Sequence, residues 1–281
     1  KDPHYIFQLY MALGNYKQAS NTAIIIARQE QDSGNYPTAH RMLYDTYKDL
    51  QDQRIRIPQS LSDALLIIHS YLMAKQWVKL GDHEVASRLL TRVAKNASKF
   101  PNNKVGILTS AVIECKRAGR DNVAFKYAAK LMQKEMRESI NEKYKRSIEK
   151  LVRKRPKKKD ADEAETPCPH CWAPVPNSAL SCDACKNKIP YCIVSGMHMI
   201  FNDWSFCPGC RFPAKYSVFK MYVEKAKPVC PLCSHRIVDG TLSRVKDPKP
   251  HLTAYMQQFE DGSGDTETKE GEQEAEKPKP Q

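Results

Sequence analysis

Nine of the ten cysteines in this 281-residue chain lie between Cys168 and Cys233, and eight of them form four Cys-x-x-Cys pairs. The pairs are Cys168/Cys171, Cys182/Cys185, Cys207/Cys210 and Cys230/Cys233. Two thiolates three positions apart on a tight turn can grip one ion from the same side. Two such turns complete a tetrahedral four-sulfur zinc site with Zn–S distances of about 2.3 Å. Proline follows the first cysteine of three pairs (Pro169, Pro208 and Pro231), which fixes φ within the turn. The array therefore predicts two structural Zn2+ ions. Disulfides would suit a small secreted domain, but no signal peptide opens the chain and no apolar run approaches the ~20 residues of a membrane span. Redox chemistry normally uses a single such pair beside a βαβ pattern, not four in a strand-poor segment. The metal reading implies a reducing compartment.

Ligand pairing is expected to be sequential, because short loops cost less entropy to close. Cys168/Cys171 would join Cys182/Cys185, and Cys207/Cys210 would join Cys230/Cys233. Between these ribbons lies the apolar stretch 189–200, read as a β-hairpin, which carries Cys192 and His198. In a cross-braced, RING-like alternative these two would join Cys230/Cys233, leaving Cys168/Cys171 unpartnered. The simpler expectation is a buried free thiol at Cys192 and a surface imidazole at His198.

Residues 1–152 carry a repeated frame, Gly-x-x-x-x-Ala, at Gly14–Ala19, Gly34–Ala39, Gly81–Ala86 and Gly119–Ala124. Glycine ends a helix where φ must turn positive, a polar residue such as Asp82 or Asp121 starts the next, and the alanine permits close helix approach. This is the corner of a tetratricopeptide-type helical hairpin. Apolar periodicity, as in Leu61, Leu65, Ile68 and Leu72, predicts helices over 3–13, 16–31, 35–52, 59–80, 82–99, 103–118 and 121–152. Pro58 stands near the start of the fourth, with Ser60 or Ser62 as its cap. Cys115 and Trp77 are read as packing residues. The fold class expected is mainly α: a tetratricopeptide-like α-solenoid followed by a small β-rich zinc-ribbon domain. An α-solenoid presents long surfaces for binding other proteins.

The basic run Arg153–Lys159 gives way to acidic 160–165, which reads as an exposed charged linker over 153–166 separating two independently folded parts. The zinc-binding module then occupies 167–245. A short extension and a disordered acidic tail fill 246–281. The tail, 260–281, holds eight acids against three lysines, so the rest of the chain carries +18, which the tail's −5 brings to the net +13. That charge could serve nucleic acid, with Trp172, Trp204, Phe206 and Phe212 stacking on bases. The preferred reading is local: each four-cysteine zinc site is formally −2, and Lys186, Lys188, Arg211, Lys215 and Arg236 lie beside the turns. The aromatics then form the small core of a domain that needs its metal.

No Gly-rich phosphate loop, His-Glu-x-x-His or paired apolar carboxylates appear, and zinc held by four cysteines leaves no position open for substrate. The chain is therefore not expected to be an enzyme. Several runs together, Cys168-Pro-His-Cys171, Cys182-Asp-Ala-Cys185, Ile189-Pro-Tyr-Cys-Ile-Val-Ser-Gly-Met-His-Met199, Cys207-Pro-Gly-Cys-Arg-Phe-Pro-Ala214 and Cys230-Pro-Leu-Cys233, resemble the C-terminal part of intraflagellar-transport complex A subunits of the WD-repeat-protein-nineteen type. The resemblance spans roughly 1–245 and implies a fragment of a longer chain in which two WD-repeat propellers precede the solenoid. It implies a non-enzymatic scaffold in retrograde ciliary transport and ciliary entry of membrane cargo, at the cilium and basal body. The implied partners are other complex A subunits and ciliary membrane-protein cargo adaptors, with no specific nucleic acid and no membrane span. A RING-like ubiquitin ligase module, or a nucleic-acid-binding zinc ribbon, is the alternative. Asp183 and Ala184 stand where such ligases usually place a large aliphatic residue.

Overall fold

Helix boundaries follow the glycine frames closely. The computed structural model describes residues 2–258, so the acidic tail expected at the C-terminus lies outside the described residues. The first part is an array of helices: α1 (Pro3–Ala12), α2 (Tyr16–Asp32), α3 (Tyr36–Asp52), α4 (Gln59–Leu80), α5 (His83–Lys95), α6 (Lys104–Arg117), α7 (Asp121–Leu131), the single turn α8 (Lys134–Arg137) and α9 (Glu142–Arg153). From α1 to α7 each helix packs on the next in sequence, and α9 closes on α7. Gly14, Gly34, Gly81 and Gly119 all have positive φ, between 69° and 82°. The N–H after each reaches back five residues, as from Asp82 to the Trp77 carbonyl (3.1 Å) and from Arg120 to the Cys115 carbonyl (2.8 Å). This is the Schellman arrangement that satisfies the last helical carbonyls. The four frame alanines are fully buried, at the contacts their size permits.

Two predicted caps behave differently. Asp82 accepts from Val85 N (3.0 Å), as expected. Asp121 is already helical, and the cap of α7 comes from far along the chain: the Asp160 carboxylate accepts from Asn122 N (2.8 Å) and Val123 N (3.1 Å). Burial alone would raise the Asp160 pKa, but these N–H donors outweigh it and hold the carboxyl below its usual range. Ser60 and Ser62 lie inside α4 and neither caps it; the Pro58 carbonyl accepts from Leu61 N (3.1 Å) and Ser62 N (3.2 Å). The helix expected over 121–152 is broken into three. Gln133 turns extended, Met136 and Ile140 are buried in the connection, and Asn141 restarts α9 by accepting from Lys143 N (3.0 Å).

The cysteine-rich part is less β-rich than expected. It has two antiparallel pairs of three-residue strands, β1 (Glu165–Pro167) with β2 (Pro174–Pro176), and β3 (Trp204–Phe206) with β4 (Pro213–Lys215). Prolines at 167, 174, 176 and 213 supply no ladder N–H, so the pairs stop short. Helices α10 (Tyr216–Lys225) and α11 (Lys249–Gln257) complete it.

The two parts share one core, where independent folding was expected. Buried Leu65, Ile68, Trp77 and Leu89 of the array are continuous with Ile193, Trp204, Phe212, Phe219 and Leu252. Tyr47 lies 5.0 Å from the Phe212 ring, and Trp77 6.2 Å from Tyr222. Among the described residues, only the first ribbon keeps a separate cluster, built on Cys168, Val175, Cys182 and Ile189. The charged segment is correspondingly not a free linker. Besides Asp160, Glu163 accepts from Arg88 Nη1 (2.8 Å) and from Ser178 N (2.6 Å).

Candidate metal centres and the knuckle between them

The eight cysteine sulfurs gather into two groups, Cys168/Cys171/Cys182/Cys185 and Cys207/Cys210/Cys230/Cys233, each with all four sulfurs within 4.8 Å of one another. Cross-ribbon Sγ–Sγ distances are 3.9 Å (Cys168–Cys185), 3.6 Å (Cys171–Cys182), 3.7 Å (Cys207–Cys233) and 3.9 Å (Cys210–Cys230). A tetrahedron with Zn–S arms of about 2.3 Å has edges of about 3.8 Å, so both groups fit such an ion. A disulfide would need about 2.05 Å. Pairing is sequential in both. The first group reaches the surface at Cys171, whereas in the second Cys207, Cys210 and Cys230 are buried.

The electrostatics also ask for a cation. In the second group, hydrogen bonding to Cys207 leads in pushing the Cys210 and Cys230 thiols far up and the Cys233 thiol down. Burial pushes Cys168 up to about 12. Four clustered sulfurs cannot all shed their protons unaided, and a divalent ion is what would make every one a thiolate.

Each pair sits on the same local frame. The N–H of the first cysteine donates to the carbonyl five residues on, and the N–H four residues on donates back to the first cysteine, as in Cys207 N to Phe212 O (3.0 Å) and Arg211 N to Cys207 O (2.9 Å). The back-donating residue takes positive φ: Trp172, Lys186, Arg211 and Ser234, at 59–66°. A fifth copy stands between the ribbons. Cys192 N donates to Met197 O (2.8 Å), Gly196 N donates to Cys192 O (2.7 Å), Gly196 has φ 69°, and Tyr191 bridges His198. Here Ser195 replaces the second cysteine. The sequence signal for this knuckle is the frame Tyr-Cys-x-x-Ser-Gly-x-His, whereas the apolar pattern of 189–200 shows only a hairpin.

The fifth knuckle joins neither sulfur group, and it serves as the plug that seats the cysteine-rich part on the helices. Its Ile193 carbonyl accepts from His69 Nε2 (2.6 Å) and its Val194 carbonyl from Trp77 Nε1 (2.8 Å). Cys192 is the expected buried thiol, its Sγ accepting from Lys215 N (3.2 Å). His198 is not the surface imidazole expected. It is fully buried, with Nε2 2.7 Å from Thr166 Oγ1 and Nδ1 3.2 Å from the Ala179 carbonyl, and so ties the first ribbon to the knuckle. Arg92 adds a further tie, donating to the Ser178 carbonyl (3.0 Å).

The residues proposed for charge and stacking divide in the same way. Trp204 and Phe212 are buried and Phe206 packs on His251 (4.5 Å), which makes them core, while Trp172 is 56% exposed. Lys215 is buried beside Cys192 and Asp203, with its pKa lowered by burial, and Lys188 reaches Gln59 (2.6 Å).

The seam carries a titratable pair. His69 donates from Nε2 to Ile193, so its Nδ1 must accept, and His40 Nε2 donates to it (3.1 Å). Only neutral His69 can do both. Burial lowers His69 to about 4, and burial aided by the charge of His69 lowers His40 to about 3. Above the unfolded value of about 6.5 neither state binds the proton and the seam is at full strength. As pH falls toward 4 the unfolded chain gains protons that the fold refuses. The expected loss is about 2 kcal/mol for His69 between pH 7.5 and 5. Urea midpoints of the metal-loaded protein, with metal retention checked at each pH, should show this slope. His69→Gln keeps a donor for Ile193 and should flatten it; an unchanged slope would put the acid sensitivity elsewhere.

No family profile matches the chain. A stretch of 257 residues, 92% of the chain, is 49% identical to mouse (Mus musculus) WD repeat-containing protein 19. The human (Homo sapiens) protein of that name is 49% identical over 90% of the chain. WD repeat-containing protein dyf-2 of Caenorhabditis elegans is 42% identical over 78%. Over this stretch the chain is a homologue of these WD repeat-containing proteins. It spans 19% of the length of the mouse and human relatives and 16% of the nematode one. A match of 257 residues takes in both the helical array and the cysteine-rich part, so the family relationship covers the helices, the knuckles and the seam between them. Among the described residues, no helix is long and apolar enough to cross a membrane.

Proposed function

We propose that this chain is a non-enzymatic, protein-binding portion of an intraflagellar transport complex A subunit. Its helices act as a tetratricopeptide-like solenoid, and its two cysteine groups hold one structural Zn2+ each. The observation that carries this reading is the pair of closed four-sulfur sites seated on a helical array within a stretch 49% identical to WD repeat-containing protein 19. A site whose four positions are all sulfur polarises no substrate, so the zinc serves architecture. The partners are other complex A subunits and adaptors for ciliary membrane-protein cargo, and the work is retrograde transport and cargo entry at the cilium and basal body. Sequential pairing speaks against the RING-like alternative, which needs interleaved ligands. The aromatics committed to the core speak against a base-stacking ribbon.

Tagged chain recovered from ciliated cells at moderate salt should bring down large transport subunits and localise to the ciliary base. Recovery of ubiquitin-conjugating machinery or ribonucleoprotein, with no transport subunit, would overturn the scaffold reading. Low-salt polyanion binding decides nothing for a chain this basic.

A further inference from the structure

A groove of about 680 Å³ runs between α6 and α9. Ile113, Tyr144 and Leu151 are half-buried on its floor, above buried Val112 and Ile148. One rim carries Lys150, Lys154, Arg155 and Lys157, all exposed and without an ion-pair partner among the described residues. The opposite rim is already neutralised: Lys116 pairs with Asp121 (2.8 Å) and Arg117 with Glu114 (2.9 Å). Three of the four acids that follow the basic run in sequence are committed elsewhere. Asp160 is spent on the N-terminus of α7, Glu163 on Arg88 and Ser178, and Asp162 on Lys159 (3.2 Å).

We propose that this groove docks an acidic amphipathic helix of a partner protein, an inference that rests on the reading of the chain as a protein-binding scaffold. An apolar trough lined by residues of two helices suits a third helix that inserts side chains at i, i+3 or i+4, and i+7. The unpaired lysines and arginine select acidic residues flanking that stripe, giving register and a salt-sensitive on-rate. Charge complementarity alone would also admit a nucleic acid, but the floor is aliphatic with a single tyrosine and offers no stacking platform. The chain's own residues 260–281 have the charge but no apolar side chain larger than Ala275, Pro278 and Pro280 to fill the trough.

The test is fluorescence anisotropy on the whole metal-loaded chain. The probe is a labelled helical peptide of about five turns, roughly 18 residues, with leucines along one stripe and glutamates beside it. Its comparators are the same peptide with the leucines replaced by serine, the same peptide with the glutamates replaced by lysine, and a labelled single-stranded oligonucleotide. The leucine–glutamate peptide should bind. Its affinity should fall at least about tenfold in the exposed triple variant Lys150→Glu, Lys154→Glu, Arg155→Glu, and the lysine-flanked peptide should gain on that variant. Ile113→Ser, which leaves the rim intact, should weaken it comparably. Equal binding of the serine peptide, indifference to both variants, or tighter oligonucleotide binding lost in the triple variant would overturn the proposal. So would a gain in affinity on removing 259–281, which would place this chain's own tail in the groove. If peptide binding fails while transport subunits still co-purify, this inference alone falls. If the peptide binds and no transport subunit is recovered, the scaffold reading falls instead.

Discussion

Stripping metal from the Cys207/Cys210/Cys230/Cys233 group is expected to unfold more than the ribbon that holds it: the helical array should lose much of its stability too. Cys207, Cys210 and Cys230 belong to the same continuous core as Leu65, Trp77 and Leu89, and Tyr47 and Trp77 pack directly on Phe212 and Tyr222. Structural zinc contributes on the order of 10–16 kcal/mol apparent in small peptides, comparable to the whole stability of a domain. Without the ion, four clustered sulfurs are left in a buried site with the Cys210 and Cys230 thiols driven up, and the turns they pin lose their common anchor. The first group should behave differently. Its core is the small separate cluster around Val175 and Ile189, and its tie to the rest runs through His198, Arg92 and Glu163. Cys207→Ser with Cys210→Ser should therefore lower the midpoint of far-UV helical melting strongly, whereas Cys168→Ser with Cys171→Ser should leave it nearly intact. Elemental analysis should find about two zinc ions per wild-type chain and one in each double variant. An unchanged helical melt in the Cys207/Cys210 variant would mean that the shared core does not couple the parts. Zinc-free wild-type protein would end the metal assignment itself.

Much of this was legible in the sequence, and for identifiable reasons. Glycine and cysteine act locally: Gly81 ends α4 because only a residue at ease with positive φ can, and Cys-x-x-Cys spacing places two sulfurs on one turn whatever surrounds it. The helix corners and the gathering of eight cysteine sulfurs into two sequential groups were thus readable from spacing alone. Features set by distant residues were not. Nothing near Asp121 announces that Asp160 will cap its helix, and nothing in the alternating charges of 153–165 shows that Glu163 will reach Arg88 and Ser178. His198 was misplaced for the same reason. An imidazole in a mostly apolar stretch reads as surface until Thr166 and Ala179, 32 and 19 residues away, supply both ring nitrogens with partners. The fifth knuckle is the instructive case. Its backbone frame is as local as the other four, but with Ser195 in place of cysteine the metal pattern passes over it, and its partners, His69 and Trp77, lie more than a hundred residues upstream.

That knuckle should be the most mutation-sensitive point outside the sulfur groups. Trp77→Phe keeps an aromatic ring in the core but withdraws the only side-chain donor that reaches the Val194 carbonyl among the described residues. Leaving that buried acceptor unmet costs about 1–3 kcal/mol. Gly196→Ala should cost more, through two additive faults. At φ 69° an L-residue pays about 1–2 kcal/mol, and the new Cβ would run into Leu89 Cδ2 while lying 3.1 Å from Arg92 Nη1. Neither side can yield easily, since Leu89 is fully buried and Arg92 is held by the Ser178 carbonyl. Both variants should lower the cooperative urea midpoint, and the second metal group, which shares the seam, should release zinc to a chelator faster. A double variant separates clash from backbone strain. Leu89→Ala opens a cavity and should cost about 2–5 kcal/mol alone, yet combined with Gly196→Ala the two losses should fall short of their sum by a kilocalorie or more, roughly the steric share, because the cavity admits the methyl group. Strict additivity would show that Gly196 is needed only for its backbone angle. A wild-type zinc release rate in both single variants would show that the knuckle does not seat the second centre on the helices.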